Sequence, residues 1–153
     1  MIYTDMTKKA MRVMYEAHKD QYDKGGVPYV FHPMIVANDM KSEVSTVVAL
    51  LHDVVEDTDI KLSDLSVFGD DVILALSLLT RSSNDDYYDY IERLSVNDIA
   101  REVKIADLKH NSDLNRLDNI TEKDLKRRQK YLKCLEYLQA IEKSDDIKLR
   151  KLA

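Results

Sequence analysis

Residues 47–59 read Val-Val-Ala-Leu-Leu-His-Asp-Val-Val-Glu-Asp-Thr-Asp, an apolar run that ends in a knot of ionisable side chains. Helical spacing stacks His52 with Glu56 and Asp53 with Asp57, so all four occupy one side of a helix. Val47, Val48, Leu51, Val54 and Val55 are left to cover the rest. Acids at a helix C-terminus face the negative end of the macrodipole, so a positive charge should compensate them. A divalent cation meets that need, with His52 and Asp53 as its first candidate ligands.

The chain has four histidines: His18, His32, His52 and His110. His32 follows the Gly25-Gly26 turn and precedes Pro33. His110 belongs to Lys104-Ile-Ala-Asp107-Leu-Lys-His110-Asn111, where Asp107 and Asn111 share a helix face flanked by Lys104 and His110. A helical bundle can bring one or two side chains from each of three helices into one pocket. His32, His52, Asp53 and Asp107 would then supply imidazoles and carboxylates together. That mixed set suits Mn²⁺, Fe²⁺ or Zn²⁺ and leaves positions for water and phosphate oxygens.

Taken singly, each residue also fits a quieter role. His32 fits a turn or helix cap, and His18 fits core packing or the orienting of a neighbour. Asp107 can pair with Lys104 or Lys109 on the surface, and the acids from Glu56 to Asp59 can form a solvated turn. Spacing, apolar context and misplaced acids agree independently, and that agreement favours a metal site.

Helices must carry these groups. Three glycines, two prolines and 7% aromatic residues favour helix throughout. A first helix, capped by Thr4 or Asp5 and running to about Tyr22, has Met6, Ala10, Val13, Met14 and Ala17 at helical spacing. Asp23-Lys24-Gly25-Gly26-Val27-Pro28 breaks it. A short helix with Tyr29, His32, Ile35, Val36 and Met40 comes next, then the central one, capped by Ser42 or Ser45. Shorter helices are expected near Leu62–Val67, Asp70–Leu79 and Tyr87–Leu94, the last capped from Asn84 or Asp85. A long one over Val96–Leu117 buries Ile99, Val103, Ala106 and Leu114. The last begins at Thr121, with Leu125, Leu132, Leu135 and Leu138 facing inward. The expectation is an all-α, single-domain helical bundle over 1–153, with its core at about 5–143 and a charged tail, 144–153, that frays.

Bulk properties restrict the function classes. The 153 residues, 44% hydrophobic and 33% charged, suit an ordinary globule with a sizeable core. A net charge of -5 argues against a general nucleic-acid binder. The basic cluster Lys123, Lys126, Arg127, Arg128, Lys130 and Lys133 reads as a solvated helix face, because acids and apolar residues interleave with it. A lone cysteine, Cys134, suits a reducing compartment. With no leader pattern and no run near the roughly 20 apolar residues of a membrane span, a cytoplasmic protein without membrane contacts is expected.

Three strings occur together in a recognisable order: Tyr29-Val-Phe-His32-Pro33, Leu50-Leu51-His52-Asp53-Val54-Val55-Glu56-Asp57-Thr58 and Lys104-Ile-Ala-Asp107-Leu-Lys-His110-Asn111. In order and spacing they resemble the HD-domain phosphohydrolases, most of all the alarmone-hydrolase branch. That branch comprises the hydrolase domain of RelA/SpoT enzymes and the stand-alone small alarmone hydrolases. Ala17-His18-Lys-Asp-Gln21, Lys24, Gly26, Pro28, Phe68-Gly69 and Leu79-Thr80 also match, so the resemblance spans about residues 5 to 117. It implies a helical HD fold with His32, His52, Asp53 and Asp107 as ligands of a divalent metal, generally Mn²⁺. Glu56 and Asp57 match the pair that positions and activates water. Lys24, Lys104 and Asn111 match positions near a small phosphorylated nucleotide. The implied reaction removes pyrophosphate from the 3′ position of guanosine tetra- or pentaphosphate. No synthetase segment follows within the chain, so hydrolysis alone is implied.

Asp23 departs from the pattern, standing where that branch commonly has arginine, and Leu108 stands where the long enzymes usually have another. An acid at 23 is expected to change base recognition. Two alternatives accompany the alarmone reading. One is an HD-type phosphomonoesterase or pyrophosphohydrolase acting on another nucleotide. The other is a non-catalytic nucleotide-binding HD domain, which would normally have lost a ligand or the Glu-Asp pair.

Overall fold

The computed structural model describes residues 1–152 and is all-α, with no strand among the described residues. The helices are α1 (Asp5–His18), α2 (Phe31–Asn38), α3 (Glu43–Leu51), α4 (Val54–Asp57), α5 (Asp70–Leu79), α6 (Tyr87–Leu94), α7 (Asp98–Asn111) and α8 (Glu122–Leu152). Short 3₁₀ segments lie at Leu62–Phe68 and Leu114–Arg116. No helix among the described residues is long and apolar enough to cross a membrane.

The centre of the bundle is α3. Ser42 and Ser45 form a reciprocal capping box at its start, and every residue from Ser45 to Leu51 is buried. A helix apolar on all sides must be enclosed on all sides, and α1, α2, α5 and α7 pack around this one. Val36, Ala75, Leu76, Val103 and Leu108 meet it in the core.

The helix ends earlier than an unbroken run through residue 57 requires. His52 Nδ1 donates to the Ala49 carbonyl at 2.7 Å. That carbonyl is the acceptor the Asp53 N–H would use in a continuing helix, so side chain and ladder compete for it. His52 and Asp53 form a turn, and α4 restarts at Val54 with the Asp57 N–H bonded to the Asp53 carbonyl at 2.9 Å.

Other boundaries shift for local reasons. The first helix stops at His18 rather than near Tyr22, and residues 21–30 become a loop pinned by a Tyr22–Pro28 bridge. Gly26 closes its turn at φ +75°, a conformation that favours glycine. Gly25 lies so close to the Arg116 carbonyl that a Cβ would sit 2.3 Å from its oxygen. The expected helix over 96–117 is shorter: Asn97 caps α7, which ends at Asn111 before the 3₁₀ segment. Asp86, not Asn84 or Asp85, caps α6.

Thr121 and Asp124 bond reciprocally at the start of α8. Its inward register meets the expected one in part. Leu138 is buried and Leu135 packs against the core, whereas Leu125 is 47% and Leu132 37% exposed. The inward side also takes in Asp124, Tyr131 and Cys134, so leucine spacing alone misses part of it. Residues 144–152 continue the helix instead of fraying. The buried Arg101 guanidinium holds Asp145 at 3.0 Å as well as the Ser95 carbonyl at 2.7 Å. Ala153 of the expected tail lies outside the described residues.

Candidate metal centre

Three elements deliver one side chain each, or two at the bend, to a single buried point. The first turn of α2 supplies His32, the bend after α3 supplies His52 and Asp53, and the middle of α7 supplies Asp107. The Nε2 atoms of His32 and His52 and a carboxylate oxygen of Asp53 lie within 4.8 Å of one another. Asp107 Oδ1 stands 3.1 Å from His32 Nε2 and 3.7 Å from His52 Nε2. Asp53 Oδ2 is 3.5 Å and 3.1 Å from the same two nitrogens. All four residues expected to meet therefore do.

The ring nitrogens fit a cation. Both Nε2 atoms are buried with no hydrogen-bond partner among the described residues, although carboxylate oxygens stand beside them. Buried polar atoms are normally satisfied, so each orphan needs an explanation. On His52 the Ala49 bond places the proton at Nδ1, which leaves Nε2 a lone pair aimed at the carboxylates. Burial opposes charge on this ring, yet Asp53 and Asp107 push its proton affinity well above normal. The cage attracts positive charge, and two imidazole nitrogens with two carboxylates can hold a divalent metal.

A second layer of contacts orients the first. The Tyr29 hydroxyl donates to Asp53 Oδ2 at 2.5 Å. Burial, reinforced by the Asp53 charge, raises that phenol far above its usual range, so it stays a donor. Burial pushes Asp53 up as well, but His52 outweighs it and holds the carboxyl at about 2. Lys104 Nζ donates to Asp107 Oδ2 at 2.8 Å, and Asn111 Nδ2 donates to Oδ1 at 2.6 Å. Against burial, these partners keep Asp107 anionic and Lys104 cationic. The His32 Nδ1 atom faces His110 Nδ1 at 2.6 Å.

Glu56 and Asp57 line the cleft that opens from this centre, about 210 Å³ in volume, with Arg81, Tyr87, Tyr90 and Lys104 on other walls. The Arg81 N–H donates to Glu56 Oε2 at 3.0 Å, fixing that side chain. Burial, with the charges of Asp53 and Glu56 beside it, raises the Asp57 carboxyl to about 6.

Lys24 does not join the cluster. It lines a wider lobe of about 390 Å³, together with Asp23, Arg116, Arg127 and Arg128. The two lobes share Tyr29, Asn111 and Tyr131 and so are neighbours. The basic run on α8 is thus partly a cleft wall. Arg127 and Arg128 face the lobe, and Lys130 covers the Tyr87 ring at 4.3 Å, so only part of it is a solvated face.

The structure also assigns Asp23 a role of its own. Its Oδ1 accepts the N–H groups of Gly25 and Val27 at 2.8 and 3.0 Å, and its Oδ2 accepts Arg116 Nη2 at 3.0 Å. Arg116 Nη1 in turn donates to Asn111 Oδ1 at 3.0 Å. Arg81 and Arg116 are site residues that sequence reasoning passed over, and Tyr29 and His110 it named only within their motifs. Tyr29 lies one turn before His32 and carries a visible signal in that spacing; Arg116 meets an acid 93 positions away and carries none.

No family model matches the chain. A probable guanosine-3′,5′-bis(diphosphate) 3′-pyrophosphohydrolase from Synechocystis sp. is 30% identical over 119 residues, which are 67% of this chain and 16% of that protein. A probable GTP pyrophosphokinase from Mycobacterium leprae is 42% identical over 72 residues, 44% of this chain and 9% of that protein. The chain thus spans less than a fifth of the length of these curated relatives. A solved structure, described as a metazoan ortholog of SpoT that hydrolyzes ppGpp, superposes with a TM-score of 0.75 at 24% identity. That match covers 90% of this chain and 87% of the other. Sequence relatives and fold together mark this chain as an HD-type domain of the RelA/SpoT hydrolase kind.

Proposed function

We propose that the chain is a metal-dependent phosphohydrolase that releases pyrophosphate from the 3′ position of guanosine 3′,5′-bis(diphosphate). The observation that carries the reading is the pair of orphaned, buried Nε2 atoms facing Asp53 and Asp107. Relatives named for this reaction support the choice of substrate.

In this reading His32, His52, Asp53 and Asp107 hold a divalent ion, with Mn²⁺ as our choice of metal. Such an ion, when bound, polarises a phosphoryl oxygen and lowers the pKa of water. The chain's own groups do the rest. Glu56, fixed by the Arg81 N–H, orients the attacking water, and Asp57 accepts its proton from within the same cleft. Lys104 and Arg81 offset charge on the departing pyrophosphate. Asn111 borders both lobes and lies between the reacting phosphates and the rest of the nucleotide. Lys24 and Arg128 give the wider lobe positive charge for a second phosphate group, while Arg127 is paired with Asp124 at 2.8 Å. In this reading the chain is a cytoplasmic enzyme that acts on a small nucleotide rather than on nucleic acid.

The test is incubation of purified, Mn²⁺-loaded chain with guanosine tetraphosphate. Pyrophosphate and GDP should appear in equal amounts, and chelation should stop their release. Orthophosphate released from a 5′-mononucleotide, with guanosine tetraphosphate left intact, would replace this reading by a phosphomonoesterase.

A further inference from the structure

We propose that His110 is a positioning residue that fixes His32 as an Nε2 ligand by accepting the proton on His32 Nδ1. The proposal rests on the metal reading above and extends it to a residue outside the ligand set.

The two Nδ1 atoms lie 2.6 Å apart, and the rings are within 18° of parallel. At that distance one proton lies between them. A neutral imidazole carries its proton on one nitrogen and a lone pair on the other. His32 Nε2 is buried, without a hydrogen-bond partner among the described residues, and stands 3.1 Å from Asp107 Oδ1 and 3.5 Å from Asp53 Oδ2. If the shared proton belonged to His110, the His32 proton would sit on Nε2. It would then point at Asp107 Oδ1, 3.1 Å away, and take the position that a metal ion needs. The lone pair at Nε2 therefore requires the proton at Nδ1 and an acceptor there, which His110 supplies.

The two ligand histidines are fixed by different means. His52 donates to a main-chain carbonyl, which no substitution removes. His32 depends on a side chain. His110 is itself anchored, because Arg116 Nη1 donates to its carbonyl at 3.1 Å and to Asn111 Oδ1 at 3.0 Å. Partners that orient a ligating histidine are typically worth about 10–100-fold in metal affinity.

The experiment titrates Mn²⁺ into the full chain and into two variants, by calorimetry. In His110→Asn, Oδ1 takes the place of Nδ1 and still accepts; in His110→Leu no acceptor remains. The Leu variant should bind Mn²⁺ about 10–100-fold more weakly, and the Asn variant close to the parent. A second measurement needs no variant. In the ¹⁵N-histidine-labelled parent loaded with Zn²⁺, a diamagnetic probe, His32 should carry its proton at Nδ1 and His110 at Nε2. A Leu variant that binds Mn²⁺ as tightly as the parent overturns the proposal, as does a proton found on His110 Nδ1. A parent that takes up no Mn²⁺ overturns the metal reading itself, so the two failures are told apart.

Discussion

Replacing Lys104 with methionine removes a charge beside the centre while nearly keeping the side chain's volume. The ammonium lies 2.8 Å from Asp107 Oδ2, and the two side chains are 12% and 6% exposed. Breaking a buried ion pair from one side typically costs about 3–5 kcal/mol, because the other charge stays buried. The lower end applies here, since Asn111 still donates to Oδ1 at 2.6 Å. A loss of about 3 kcal/mol corresponds to a melting point roughly 6–12 °C lower for a chain of this size. If Asp107 is a metal ligand, a bound cation supplies the counter-charge that Lys104 gave. The loss should then be smaller in saturating Mn²⁺ than in chelator by about 1 kcal/mol, a usual coupling for groups in one network. Urea unfolding followed by circular dichroism, run in both conditions at neutral pH, reads the difference. Equal losses with and without Mn²⁺ would show that Asp107 and the ion do not share charge, and would refute the ligand assignment.

Division of labour in the cleft separates two further variants. Asp53→Ala should lose both bound Mn²⁺ and turnover, whereas Glu56→Gln should retain the metal and slow turnover by about 10²-fold or more; metal analysis beside initial rates distinguishes them. Asp23→Asn tests the brace to Arg116. Burial raises the Asp23 carboxyl, but the Val27 N–H, Arg116 and the Gly25 N–H outweigh it and hold it below the usual range. Its contribution to stability is therefore present above the unfolded value near 3.8 and lost as pH falls through the folded one. The parent should exceed the variant by about 0.5–1.5 kcal/mol at neutral pH, and the gap should close in acid; a gap unchanged at low pH would refute the brace. Gly25→Ala drives a Cβ to 2.3 Å from the Arg116 carbonyl oxygen. It should cost about 1–3 kcal/mol in urea unfolding, and no loss would mean that the loop does not bear on the 3₁₀ segment. On α8, Leu138→Ala should cost about 2–5 kcal/mol and Leu132→Ala far less; equal costs would contradict the observed register.

The cluster of His32, His52, Asp53 and Asp107 was legible in the sequence because a metal site restricts residue types so tightly. His32 and His52 are two of four histidines in the chain, and helical spacing alone put each of the four residues in a plausible orientation. Helix capping was legible at two starts for a similar reason: Thr4 and Ser42 carry local signals, and each caps where expected. What failed was long-range. Asp23 looked like a substrate-reading position that had changed its charge. Its partner Arg116 arrives only when the 21–30 loop folds against the chain beyond α7. The register of α8 failed at Leu125 and Leu132 because Arg127, Lys130 and Tyr131 turn toward the cleft, and leucine spacing does not register a polar wall.

The bend at His52 shows how one hydrogen bond serves fold and site together. The Nδ1–Ala49 bond removes an acceptor from the helix and so lets α3 end at Leu51. The same bond fixes the tautomer that leaves Nε2 free toward Asp53 and Asp107. Asp53 and Asp57 stay one helical turn apart across the start of α4, and the Asp53 charge helps to raise the Asp57 carboxyl. Asp53 Oδ2 faces the imidazoles from the same cleft that Glu56 and Asp57 line. Two of the four proposed ligands and the proposed proton-handling pair thus come from six consecutive residues, 52–57. The histidine at the head of that run reaches back one turn to its own helix, which is what ends α3 at that point.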